Sequence, residues 1–413
     1  MTSQQTENDY TQHQSLYGSV ETPVHIPADR VVDFDYHHPT GMEKTDVYSA
    51  WKQLHSGPDV IWTPRNGGHW IVTRGEDIKF VQEHYEVFSH EVFSIPRGSS
   101  PVQMPPLTVD PPFHARYRAV LNPSFTPARV REMRDSAEKL TIGLIERIKS
   151  NGGCDFLNEF ARVMPVVMFL GIVDLPLDRR QEFSDWARTF ITSSNSEEKL
   201  AAHQSVVDYL SGVIDERYEK PGADLLSRIA SWRDNKRYQG EEEVIGMALL
   251  VFFGGLDTVA NMLSFIVCHL AQSPAHRKRL VEEPEIIPQA VEEYLRRFGL
   301  SNTGRLVLKD YNYKGITFKT GDMVMVPISL SSMDERLYNH PTDIDFDRKA
   351  EHNTFGNGPH KCVGSPLARA EITVFLEQWL KAIPDFRLNP DSLPITHSGP
   401  VNGMSQLSLV WDV

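Results

Sequence analysis

Residues 246–271 form the most apolar stretch of the chain, yet Gly254, Gly255, Asp257, Asn261 and His269 fall inside it. A membrane span would bear a heavy penalty for that aspartate. The stretch is therefore predicted to be a buried core helix. Such a helix needs a large body around it, and 413 residues with 40% hydrophobic content supply one. Two glycines in mid-helix cost roughly 1 kcal/mol each relative to alanine. A buried acid and alcohol, here Asp257 and Thr258, add further cost unless hydrogen-bonded. Local rules broken together at one place point to a functional site. The plainer alternative is a kinked core helix whose threonine bonds back to a carbonyl.

The charge balance is 42 basic against 55 acidic side chains, a net −13. No general attraction to nucleic acid follows, although a local basic face stays open. Cys154, Cys268 and Cys362 are too few and too scattered for a disulfide framework or a CxxC zinc site. A reducing, cytoplasmic setting is expected. Met1–Val20 is polar, with no apolar core for a signal peptide or membrane anchor.

Residues 1–30 read as a flexible N-terminal arm and 31–413 as a single domain, because no clean linker is visible. An amphipathic helix is predicted over 45–55. Val60-Ile61-Trp62 and Trp70-Ile71-Val72 flank the turn signal Asn66-Gly67-Gly68, which predicts a hairpin. Helical periodicity covers 76–87 and 128–150, and several helices fill 155–220. Between them, 89–112 is rich in Pro, Ser and Gly and reads as a long loop of the lid or binding kind. The long helix starts with Glu241, Glu242 and Glu243 and stops near Ser273-Pro274. A helix over 285–298, short strands over 304–327, irregular chain over 333–361, a helix over 363–383 and short closing strands complete the reading. The fold class is mainly α with small β-sheets, α+β.

One cysteine stands in an irregular glycine-rich loop, Phe355-Gly356-Asn357-Gly358-Pro359-His360-Lys361-Cys362-Val363-Gly364, just before a helix. The glycines permit tight backbone paths and close approach to a flat ligand. The helix N-terminus stabilises a thiolate, which suits a soft metal centre. Phe355, Gly358, Cys362 and Gly364 match F-x-x-G-x-x-x-C-x-G, and on that signature the chain resembles the cytochrome P-450 superfamily, the haem-thiolate monooxygenases. The resemblance implies a triangular prism-like fold with haem between the long central helix and the cysteine loop. It makes heme b (iron protoporphyrin IX) the cofactor and Cys362 its axial metal ligand, whose thiolate favours O–O cleavage. Cys154 and Cys268 keep the ordinary reading of buried free thiols.

Other segments follow the same family order. Gly254-Gly255-Leu256-Asp257-Thr258 resembles the oxygen-activation motif, which would give catalytic roles to Asp257 (proton relay) and Thr258 (a hydrogen bond to dioxygen). Asp110-Pro111-Pro112-Phe113-His114 through Arg118 resembles D-P-P-x-H-x-x-x-R. By that likeness His114 and Arg118 reach the haem propionates, with Arg305 and His360 as further partners by position, and Gly254 and Phe355 border the cofactor. Glu293 and Arg296 resemble the E-x-x-R pair, with Arg348 as third member, in a structural role.

Asn66 to Ile71 and Gly255 to Thr258 are similar to the bacterial camphor 5-monooxygenase branch, which lacks a membrane anchor and takes electrons from a [2Fe-2S] ferredoxin. That implies a ferredoxin partner, with a reductase and NADH upstream, and a monomer. Arg116, Arg118 and Lys361 are candidates for its basic docking face. The camphor enzymes hold the substrate ketone with a tyrosine before D-P-P; counted back from Asp110, Val102 stands there. Phe253 replaces a smaller residue. The expected pocket (Val102, Leu250, Phe253, Ser301, Val401) is thus altered and lacks one anchor, for which Ser94, Ser301 or Asn302 are candidate donors. The expected reaction is hydroxylation, with dioxygen, of a small hydrophobic cyclic terpenoid or norisoprenoid, ionone-like rather than camphor itself. A non-catalytic haem or hydrophobic-ligand carrier and a peroxide-driven haem enzyme are the alternatives; the intact Asp257-Thr258 pair disfavours both.

Overall fold

The computed structural model describes residues 18–99, 102–192, 196–349 and 351–413, with the side chains of 191, 192 and 196 left aside. Residues 1–17 of the expected arm and 100–101 of the expected loop lie outside the described residues. Residues 18–30 lie on the body rather than loose. The Val20 N–H donates to the Pro64 carbonyl at 3.0 Å, Ile26 is buried, and His25 Nε2 lies 3.1 Å from the Asp322 carboxylate.

The apolar stretch folds as the central helix in two segments, Glu241–Leu256 and Thr258–Gln272, with Asp257 between them outside the helical ladder. Its most apolar window is 67% buried inside the protein, so protein rather than lipid covers most of it. Helices Val163–Val173 and Ser196–Glu219 pack on the first segment. Helix Ser365–Ala382 and strand Gly403–Gln406 pack on the second. Two hydrophobic clusters result, one holding Val244 to Leu256 and the other Ala260 to Ala271. The break at Asp257 falls where the clusters meet, and beside it Gly254 leaves an open slot on the helix face.

The β structure flanks this helical body. The predicted hairpin forms, with Val60–Thr63 against His69–Val72 and Trp62 opposite Trp70. Its turn needs left-handed backbone, and Asn66, Gly67 and Gly68 take φ of 53°, 80° and 75°. The five-stranded sheet runs in the order 60–63, 69–72, 323–327, 302–307, 88–89. All pairs are antiparallel except 69–72 with 323–327, where Trp70 lies beside Val324. Opposite Val324 on the other side is Arg305, so this sheet delivers one of the expected haem partners.

Boundaries differ from expectation by a few residues. The helix expected over 76–87 is Gly75–Glu83, because Val87 and Phe88 turn into the core and Phe88 pairs with Val307. Helices Val47–Lys52, Pro127–Ile148, Ile287–Arg297 and Ser365–Ala382 stand where helices were predicted. The Asp46 carboxylate caps the first by accepting from the Tyr48 and Ser49 N–H groups. After the short strand Phe88–Ser89, the loop reaches His114 with no helix among its described residues and lies close on the central helix at Gly246. A Cβ there would stand 2.5 Å from the Gln103 carbonyl oxygen, so only glycine admits the contact.

Candidate active site

The cysteine loop is held by its own backbone. The Cys362 N–H donates to the Phe355 carbonyl at 2.8 Å, and the Gly356 N–H to the Asn353 carbonyl at 2.7 Å. Gly356 and Gly358 are left-handed at φ of 75° and 66°, and a Cβ on Gly358 would lie 3.0 Å from the Gln82 carbonyl oxygen. Gly364 departs from the expectation: its φ is −78°, open to any residue. Cys362 is exposed, three residues before helix Ser365–Ala382. Crowding by protein pushes its pKa up, while the Gly364 and Ser365 N–H groups and the charges of Arg118 and Arg369 pull it back. By contrast, burial drives the Cys268 thiol up to about 11 and the Cys154 thiol higher still, as inert cysteines require.

The helix break is open on one side. Gly254 is exposed, and a Cβ added there meets nothing within 4 Å. At Gly255 a Cβ would stand 2.8 Å from the Phe169 ring, so that glycine is needed for packing. Thr258 Oγ1 donates back to the Gly254 carbonyl at 3.4 Å, a bond at the long limit and easily exchanged. The Asp257 carboxylate accepts from Asn261 Nδ2 at 2.9 Å. Asn261 Oδ1 in turn accepts the Met404 N–H at 3.3 Å. The Asp257 carboxylate acts electrostatically on Arg162 and His397, raising both against the effect of burial.

The four expected propionate partners form one cluster. The His360 ring lies 4.7 Å from that of His114 and 4.6 Å from that of His90. His360 Nε2 is 2.8 Å from Asp110 Oδ1, and Ser89 Oγ donates to Asp110 Oδ2 at 2.5 Å. Arg118 Nη1 donates to the Lys361 carbonyl at 2.9 Å, beside Cys362. Arg305 is buried, donates from Nη1 to Thr303 Oγ1 and the Gly304 carbonyl, and has no ion pair among the described residues. Burial brings it down to about 9, with Asp110 opposing. Burial, then His360 and Arg118, bring His114 down to about 4.

Residues 179–396 match the family model described as Cytochrome P450. A probable cytochrome P450 127A1 of Sinorhizobium fredii is 34% identical over 94% of this chain and 96% of its own length. The vitamin D(3) 25-hydroxylase of Pseudonocardia autotrophica is 28% identical over 89% of this chain and 96% of its own. The crystal structures of CYP101J2 and CYP101C1 each superpose with a TM-score of 0.88, at 34% identity, covering 95% of this chain and all of theirs. The chain belongs to the cytochrome P450 family.

P450s are haem-thiolate monooxygenases, oxidoreductases that incorporate oxygen from dioxygen; the cofactor here is heme b with Cys362 as its axial ligand. The residues fit the group. A buried arginine without a carboxylate is costly, and buried ring nitrogens at His90 Nδ1 and His360 Nδ1 have no partner among the described residues. Anionic propionates would satisfy that deficit. The bare face of Gly254 leaves room for a flat macrocycle.

The E-x-x-R pair of this P450 is fully buried. Arg296 Nε and Nη2 donate to Glu293 at 2.7 and 2.8 Å, and Nη1 donates to the Ser332 and Pro341 carbonyls. Arg348 Nε adds a bond to Glu293 at 3.2 Å. The pair thus ties helix Ile287–Arg297 to the segment leading into the cysteine loop.

Other expectations need correction. Of the expected pocket residues, Val102, Leu250 and Phe253 belong to one hydrophobic cluster and Val401, bridged to Ser301, to the other, so the five come from the two sides of the break. Asn302 is not a spare donor, since its Nδ2 donates to the Gly399 carbonyl and Asn402 Oδ1. Arg116 does not join an exposed docking face. Its guanidinium donates to Glu243 and Tyr117 and is 12% exposed, because the first turn of the central helix offers an acid there. Sequence reasoning missed His90, Asn261, Arg162 and His397. None lies in the family signatures used above, and only Asn261, polar within an apolar helix, gave a signal.

Proposed function

We propose that this P450 hydroxylates a small cyclic terpenoid or norisoprenoid with dioxygen and two electrons from a [2Fe-2S] ferredoxin, in the cytoplasm. The Arg118–His114–His360–Arg305 cluster beside the Cys362 loop, together with the Asp257–Thr258 break in the central helix, carries the reading. Similarity to the camphor 5-monooxygenase motifs, and the two CYP101 structures, support the substrate class and the donor. When bound, the haem supplies the oxygen-activating iron and the oxidant that attacks a C–H bond.

The chain's own residues do the rest. Arg118 and Arg305 would hold the propionates by charge, and His114 and His360 by hydrogen bonds. The Gly254 face and Phe355 would border the ring. Asp257, held by Asn261, relays a proton toward Thr258 Oγ1, whose hydroxyl leaves its weak bond to the Gly254 carbonyl. Val102, Leu250 and Phe253 exclude water and orient the substrate.

The test is direct. Reduced protein with carbon monoxide is expected to give the thiolate-type absorption band, and cyclic terpenoids to shift the ferric spin state. Ferredoxin, its reductase and NADH are then expected to yield hydroxylated product. Efficient turnover with peroxide and no ferredoxin would favour the peroxide-driven reading; no product from any terpenoid would favour a carrier.

A further inference from the structure

A cleft of about 450 Å³ lies between helix His114–Leu121 and the segment 228–237, and that is within the size range of small-ligand sites. Arg116 and Val120 line it from the helix, and Arg228, Trp232, Asn235 and Arg237 from the segment. None of these residues belongs to the haem cluster. Most charges around the cleft are matched. Arg116 Nη2 donates to Glu243 at 3.0 Å. Glu243 is itself saturated, accepting also from Tyr117, from Trp232 Nε1 at 2.9 Å and from the Gln239 N–H at 3.2 Å. Arg233, in the same segment, pairs with Asp215 and Glu241. Arg228 and Arg237 differ. Both are exposed, and neither guanidinium has a hydrogen-bond or ion-pair partner among the described residues. Asn235 Oδ1 accepts the Arg237 N–H at 2.9 Å, which leaves its Nδ2 free to donate.

The chain has a net charge of −13, so acids that could pair two arginines are not scarce. Two unmatched guanidiniums in one concave site instead leave a local excess of positive charge. The planar fork of arginine meets a phosphate with two parallel hydrogen bonds, and a multivalent anion can take two forks at once. We infer that this cleft binds a small phosphate-bearing anion. Arg228 and Arg237 hold its charge, the Asn235 amide adds a donor, and Val120 and Trp232 supply an apolar side. A free polyphosphate and a nucleotide share that chemistry. A carboxylate-rich protein surface fits the concave shape less well, since each of its charges is single. The site is separate from the hydroxylation chemistry, and its failure would leave that reading untouched.

The experiment titrates the holoenzyme with inorganic pyrophosphate and with ADP by calorimetry, in a chloride buffer free of phosphate and sulfate. Wild type is expected to bind pyrophosphate with a Kd below about 1 mM at low salt, weakening as salt is added. The double variant Arg228→Gln/Arg237→Gln is expected to lose at least about tenfold in affinity while keeping the wild-type melting temperature and carbon monoxide adduct. Arg131→Gln/Lys381→Gln makes the same change in net charge at exposed positions elsewhere and is expected to stay within about twofold of wild type. Tighter binding of ADP than of pyrophosphate identifies a nucleotide as the occupant, and equal binding a free polyphosphate; both support the site. Three results overturn it: no binding of either probe to wild type, an equal loss in the two double variants, or a glutamate-rich peptide that binds as tightly as pyrophosphate.

Discussion

Thr258 is helical by position but barely committed by its side chain. Its one protein bond, 3.4 Å to the Gly254 carbonyl, is too long to hold the hydroxyl against a better partner. Thr258→Ala therefore should leave folding and haem content unchanged and uncouple NADH oxidation from product, with peroxide released instead. Tight coupling in that variant would remove Thr258 from proton delivery. Asp257→Asn should slow turnover at least tenfold, since the amide cannot relay a proton, with substrate affinity unchanged in the spin-state titration. Glu371 gives a prediction of another kind. It is buried on the cysteine helix, and burial raises its carboxyl to about 8. The unfolded chain releases that proton near the ordinary carboxylate value, so between about pH 4.5 and 8 the unfolded state binds fewer protons than the folded state. Stability contributed at this site is full below that window and declines as pH rises through it. Glu371→Gln should flatten the decline, and its melting temperature should gain on wild type between pH 5 and pH 9. Parallel melting curves across pH would show that Glu371 does not titrate this way.

At the scale of elements, the two mid-helix glycines separate into different requirements. Gly255→Ala drives a methyl to 2.8 Å from Phe169 and should lower stability by about 1–3 kcal/mol, read by urea unfolding. Gly254→Ala meets nothing, and its better helix propensity should add up to about 1 kcal/mol to the apoprotein. That methyl stands in the slot, so haem affinity or the oxygen complex should suffer instead. Equal stability loss in both variants would mean that the slot closes over Gly254. The glycines, the acid and the alcohol were legible in the sequence because each breaks a helix rule at one spot. The hairpin was legible from Asn66-Gly67-Gly68, and the E-x-x-R pair only through the family resemblance, because its spacing alone fits an ordinary surface pair. Sheet order was not, since the parallel pairing of 69–72 with 323–327 joins segments some 250 residues apart and leaves no local pattern. His90 was not legible either. A lone histidine acquires meaning only when its neighbours are known, and here those are Asp110 and His360.

Over the whole molecule, a net charge of −13 would repel an acidic electron donor, so a productive encounter needs a local exception. Lys361 is exposed one residue before the thiolate ligand, and the guanidinium of Arg118 is bonded to its carbonyl. Arg116, only two residues from Arg118, is spent on Glu243 and Tyr117. Charges separated by more than about 10 Å are largely screened at 0.1 M salt, so only cations at the contact itself should matter. Lys361→Glu should therefore raise the KM for ferredoxin several-fold at low salt, with the spin-state titration by substrate unchanged, and the defect should shrink as salt screens the wild-type attraction too. Arg116→Gln should leave that KM within about twofold, because its charge is already paired, and should instead lower the melting temperature by freeing Glu243 in a half-buried site. Steady-state kinetics over a salt series on both variants decides the matter. Equal rises in KM would mean that the electron donor senses the summed basic charge of the 114–118 turn. A rise confined to Lys361→Glu would place the path of electrons over the cysteine loop, by the shortest covalent route to the sulfur.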